Sequence, residues 1–177
     1  MIRLFFSGFF FVILAIIQIS FLHSLPWAFS ATPLVFAFST YLIQHRSLTL
    51  GIWWIIIFGF CLDLIKIGIT PHEIISYTLG AIVAYSSARR LFSNRSFYGI
   101  LACGIISYMT LIVSEIIILS IYSLTSLTHI SWTNFTEYAV WSSSMLIVVL
   151  MILFVFAAKI RRLLFRSFIL SKTQETF

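Results

Sequence analysis

The sequence predicts an all-α integral membrane protein with six transmembrane helices and both termini in the cytoplasm. Three observations predict it. Of 177 residues, 61% are hydrophobic and 9% are charged, against about 25% charged in an ordinary soluble domain. A water-soluble fold with so few charges could not cover its apolar surface, and the mean hydropathy of +1.10 agrees. The apolar residues also fall into runs close to the ~20 residues that a helix needs to cross the hydrocarbon layer. Finally, the Lys and Arg residues sit in the short breaks between these runs, unevenly divided between the two faces that the runs imply.

The first helix is expected over 4–22. Arg3 before an apolar run has the outline of a signal peptide, but the run is longer than the about 7–15 residues of a signal core. It therefore reads as a retained helix. A break with Pro26 and Trp27 follows. Thr32-Pro33 then supplies an N-cap and a proline at the first helical position, starting a short second helix over 32–44. The third helix is expected over 48–66, the fourth over 71–88, the fifth over 97–124 and the sixth over 135–158. A basic cytoplasmic tail, 159–177, closes a single transmembrane domain.

With the amino terminus inside, Arg3, Arg46, Arg89, Arg90, Arg95, Lys159, Arg161, Arg162, Arg166 and Lys172 fall on the cytoplasmic side, and Lys66 alone falls outside. Cytoplasmic loops are enriched in Lys and Arg, so the net charge of +6 reads as a topology signal and not as a nucleic-acid footprint. The count requires the second helix to cross. A re-entrant second helix would put the loop holding Arg89, Arg90 and Arg95 on the wrong side. Arg161, Arg162 and Arg166 alternate with Leu163, Leu164, Phe165 and Phe168, a pattern expected to lie along the inner leaflet against anionic lipid.

Few polar residues interrupt the apolar runs. Asp63 and Lys66, three apart, share a helix face at the end of the third helix. They read as a snorkelling interfacial pair, as an Asp63 turned into the bundle to organise a polar cluster or a partner contact, or, last, as a catalytic carboxylate. Thr70-Pro71-His72-Glu73 reads as a capping box, with Thr70 as N-cap and Glu73 as the third helical residue. Asn134 and Glu137 repeat that logic at the sixth helix. Glu115 lies deep in the fifth helix, where an acid must be protonated, paired or facing a wet cavity. The partners within reach are Ser107, Tyr108, Thr110, Gln18 and the serines at 142–144. Its roles divide between packing glue, a proton or ion relay, and a contact with a cavity or partner. Ser76, Gly80, Ala84 and Ala88 recur every four residues, a seam along which helix backbones approach closely, either within the chain or between two copies of it. Trp53, Trp54, Trp132 and Trp141 include interfacial anchors. Cys61 and Cys103 lie inside apolar runs and pack as small hydrophobes. The four histidines fall near helix boundaries, away from any ligand cluster. The sequence carries no nucleophile–base constellation, phosphate loop, metal motif or cofactor signature, which argues against an enzyme.

Gly51, "GFCLDLIKIGI" from Gly59 to Ile69, "SYTLGAIVAY" from Ser76 to Tyr85 and "RRLFSNRSF" from Arg89 to Phe97 resemble the rod shape-determining MreD family of bacteria. The pattern runs through most of the chain, with motif-like identity over about 50 residues, and it departs from the family at Thr70-Pro71-His72. The resemblance implies a non-enzymatic, multi-pass scaffold of the bacterial inner membrane within the cell-elongation (rod) complex. Such a scaffold binds MreC and links the MreB cytoskeleton to peptidoglycan synthesis and cell shape. Asp63 matches the family's Asp-Leu position. The resemblance also implies the six-helix architecture of the substrate-binding components of energy-coupling-factor vitamin transporters. Those components are the rival reading, a small-molecule carrier. They typically have an Ala-x-x-x-Ala-like pattern in the first helix, where this chain has Phe5, Phe6, Phe9, Phe10 and Phe11.

Overall fold

The computed structural model describes residues 2–45, 48–65, 72–91, 96–126 and 131–174, with backbone alone for 2–4, 23, 27–28, 125–126 and 160–174. Helix α1 covers Ile2–Ile16 and loosens into a π turn, Ile17–Phe21, and a 3₁₀ turn, Leu22–Ser24. Next come α2 (Trp27–Ser30), α3 (Leu34–His45), α4 (Leu48–Ile65), α5 (Glu73–Arg90), α6 (Phe97–Ser126) and α7 (Trp132–Gln174). No strand occurs among the described residues.

Three helical stretches are long and apolar enough to cross a membrane: Leu48–Ile65, Phe97–Leu124 and Trp132–Lys159. The surface fits a lipid solvent. Among the described residues, large exposed hydrophobic side chains outnumber the buried ones. Phe5, Phe6 and Phe9 on α1 and Val155 and Phe156 on α7 stand more than half exposed.

The short helix stands in the middle. α3 has 12 residues, a length of about 18 Å at ~1.5 Å per residue. It packs against α1, α4, α5, α6 and α7. Val35, Phe36, Ala37, Ser39, Thr40 and Ile43 are all buried. A helix walled in by others needs no apolar face for lipid, which is why it tolerates Ser39, Thr40 and Gln44. Ser39 and Thr40 donate their hydroxyls to the carbonyls of Val35 and Phe36 one turn back, so no polar group is stranded. Around this post α4, α5, α6 and α7 follow one another in contact.

Close backbone approach holds the wall together. A Cβ on Gly51 would stand 2.6 Å from the carbonyl oxygen of Ser39, and one on Gly59 would stand 2.6 Å from the Cβ of Tyr77. Only glycine permits α4 to lie so near both α3 and α5. The seam residues Ser76, Gly80, Ala84 and Ala88 are buried and face α6, where the Cys103 thiol meets the Ser87 hydroxyl (3.2 Å) and the Ala84 carbonyl (3.5 Å). The seam is therefore internal to the chain.

Several sequence expectations need correction. Thr32 does not cap α3: its hydroxyl turns back to the Phe29 carbonyl, and the helix starts at Leu34. Glu73 is the first residue of α5, with His72 at the N-cap position, so it does not stand third in a capping box. Thr70, Lys66, Arg46 and Arg95 lie outside the described residues. α7 begins at Trp132, and the Phe135 amide returns to the Ser131 carbonyl. Asn134 therefore sits inside the first turn instead of capping it, and Glu137 is exposed further along. The basic stretch continues α7 to Gln174, because residues 159–174 contain no Gly or Pro to end a helix. Trp54 is buried against Phe10 and Phe11 and so anchors the core. Trp53, Trp132 and Trp141 are exposed.

Candidate functional site

At one end of the bundle, α1 and α4 finish while α3, α5 and α7 begin. Helix starts leave amide N–H groups without intrahelical partners, and in an apolar surrounding these must be satisfied. The chain does this with side chains from distant positions. Gln18, in the π turn that ends α1, accepts the Val35 amide on its Oε1 at 2.7 Å. Asp63, in the last turn of α4, accepts the Glu73 amide on Oδ1 at 3.0 Å and the Ile74 amide on Oδ2 at 2.9 Å. A carboxylate at a helix N-terminus also meets the positive end of the helix dipole. Asp63 thus binds the start of α5 to the end of α4.

These bonds shape a cavity of about 390 Å³. Its polar wall comes from Gln18 in the π turn, His72 and Glu73 at the start of α5, Tyr77 one turn on, Tyr108 and Glu115 from α6, and Tyr138 from α7. Phe58, Leu62 and Leu111 supply apolar floor. Because Asp63 fixes the Glu73 backbone, the buried Glu73 side chain is held beside His72, with His72 Nε2 3.7 Å from Glu73 Oε1. The Gln18 oxygen is committed to α3, so its amide nitrogen is the group left to donate. The hydroxyls of Tyr108 and Ser142 hydrogen-bond to one another and tie α6 to α7 at the cavity wall.

The sequence-predicted polar residues divide accordingly. Gln18, Glu73 and Glu115 meet at the cavity, and Asp63 supports it from behind. Of the partners expected for Glu115, Gln18 and Tyr108 share its cavity. Ser107 and Thr110 instead bond to carbonyls of their own helix, as do Ser143 and Ser144. Arg89 and Arg90 lie exposed in the last turn of α5, at the opposite end of the bundle, where the Arg89 guanidinium donates to the Tyr85 hydroxyl at 2.9 Å. Arg161, Arg162 and Arg166 belong to the α7 extension. Sequence reasoning missed His72, Tyr77 and Tyr138 as cavity residues. One signal was present on α6, where Tyr108, Leu111, Glu115 and Leu119 follow the spacing of a single helix face.

Among the described residues no group of three or more His, Cys, Asp or Glu is placed to hold a metal ion. The chain matches no family model, no curated protein and no solved structure.

Proposed function

We propose that the chain is a non-enzymatic membrane scaffold of the MreD type, acting in a bacterial cell-elongation complex beside an MreC-like membrane protein. One observation carries the reading. The residues behind the resemblance, Gly51, Gly59 and Asp63, work as joints: two close helix approaches and a two-bond clamp on the next helix. A motif used to fix the relative pose of helices suits a protein that presents a rigid face to partners.

On this reading α1, α4, α5, α6 and α7 cross the inner membrane, the short α3 returns the chain between α1 and α4 inside the bundle, and both termini are cytoplasmic. The distribution of charge supports it. Arg89, Arg90 and the basic stretch of α7 all lie at the end opposite the cavity, and that end is the cytoplasmic one by the enrichment of Lys and Arg there. The α7 extension beyond Lys159 then meets anionic headgroups. The experiment is affinity purification of the tagged chain from its native membranes. Recovery of an MreC-like protein is the expected result, and recovery of an energising ATPase module would overturn the scaffold reading in favour of a transporter component.

A further inference from the structure

The end of the bundle opposite the cavity carries positive charge and no nearby acid. Arg89 and Arg90 stand exposed there, and residues 92–95 bring Arg95 and no carboxylate. The chain has five Asp and Glu residues. Glu73 and Glu115 line the cavity, Asp63 holds the first amides of α5 beside it, and Glu137 precedes the cavity residue Tyr138. Glu73 and Arg89 are separated by about 24 Å of α5 at ~1.5 Å per residue, more than twice the screening length of about 10 Å. Glu175 follows Gln174, after α7 has run about 22 Å past Lys159. The counter-charge for Arg89 therefore comes from outside the chain.

Arg89 is held ready for it. Its guanidinium lies 6.0 Å from the Tyr85 ring centre and donates one N–H to the Tyr85 hydroxyl at 2.9 Å. A guanidinium has about five N–H donors, and among the described residues the others make no bond. The Tyr85 oxygen accepts from Arg89, so its own O–H remains to donate. Together they present two donors that two oxygens of one phosphate can meet. The start of α6, antiparallel beside α5, turns the positive pole of its dipole to the same end. Below these donors Ile82, Leu79 and Ile75 stand exposed on the face of α5 that Arg89 shares. Arg89 to Leu79 spans about 15 Å of helix, half of the ~30 Å hydrocarbon layer. The apolar track is thus as long as one leaflet is deep.

We propose that Arg89 and Tyr85 bind the phosphate of an anionic phospholipid, with one acyl chain lying along Ile82, Leu79 and Ile75. A zwitterionic lipid offers the same phosphate but brings an ammonium group to an end with no carboxylate to receive it. A free phosphate ester meets the two donors and leaves the apolar track unused. The site is separate from the headgroup contact of the α7 extension. It does not rest on the scaffold reading, since any chain with this end at a membrane surface presents the same donors.

The test is native mass spectrometry of the full chain in a neutral detergent, titrated separately with phosphatidylglycerol, phosphatidylcholine and sn-glycerol 3-phosphate. The first phosphatidylglycerol is expected to bind about fivefold or more tighter than phosphatidylcholine. The glycerol phosphate, which has the charge without the chains, is expected not to bind at the same concentrations. Arg89→Gln weakens phosphatidylglycerol binding by about tenfold or more, as loss of a charge-assisted bond requires. Tyr85→Phe removes one hydroxyl, keeps the ring and weakens binding roughly two- to tenfold. Arg89→Lys keeps the charge but loses the planar fork, for a loss of about threefold or more. Arg90→Gln removes the same charge one residue away and costs no more than about twofold. Equal binding of the two lipids, or glycerol phosphate binding as tight as phosphatidylglycerol, would overturn the proposal. So would a loss in Arg90→Gln as large as that in Arg89→Gln, or full binding in both Arg89→Gln and Tyr85→Phe.

Discussion

The starts of α5 and α6 meet the same physical requirement in different ways. α6 is capped from next door: the Ser96 hydroxyl accepts the Gly99 amide at 3.1 Å, and the Ile100 amide returns to the Ser96 carbonyl. α5 is capped from the preceding helix, by Asp63 ten positions before Glu73. α3 follows the second pattern, with Gln18 seventeen positions before Val35. A local cap stabilises one helix. A distant cap stabilises one helix and also fixes where it stands against another. The distant caps gather at the cavity end, where several elements must be held in register, while the local cap lies at the opposite end.

The comparison can be broken most severely at Asp63. Asp63→Ala removes two bonds to a charged acceptor and leaves two amides at the start of α5 to find new partners. A loss of about 2–4 kcal/mol is expected, read by reversible denaturation of the purified protein in mixed detergent micelles. Asp63→Asn, which keeps one carbonyl acceptor, should recover part of it. If Asp63→Ala costs no more than a local cap, the clamp is not what holds α4 to α5.

Gln18→Leu comes next. It keeps the bulk but strands the Val35 amide in the interior, for about 1–3 kcal/mol. Because α3 touches five other helices, its loosening should also raise hydrogen exchange along α3, measured by mass spectrometry. Ser96→Ala is expected to have the smallest effect, about 1 kcal/mol, with exchange changes confined to the first turn of α6. Exchange spreading from Ser96→Ala across the cavity end would erase the distinction between near and distant caps.

Much of the architecture can be read from the chain. The apolar pattern predicts α4 over 48–66, and it is observed as Leu48–Ile65; the start of α6 at Phe97 agrees as well. Both follow from apolar length between polar breaks. The errors fall at helix starts. Thr32-Pro33 and Asn134 have the residue types of caps, but cap residues can equally hydrogen-bond a neighbouring carbonyl or lie within a first turn. α3 is the least legible element, because a helix shielded by five others carries no lipid-facing stripe and falls short of a spanning length. Within the cavity, Gln18 and Glu115 stand out in the sequence as polar residues in apolar runs. Tyr77 and Tyr138 do not, since tyrosine is ordinary in such sequences.

The sequence by itself determined the helical class, the apolar segments and the asymmetry of charge, because these depend on composition and on distances of a few residues along the chain. Tertiary structure alone decided which polar side chain serves which helix start, and therefore that Gln18, Glu73, Glu115 and three tyrosines surround one cavity. The physical reason is that an N–H group needs an acceptor within hydrogen-bond distance in space, and separation along the chain places no limit on where that acceptor comes from.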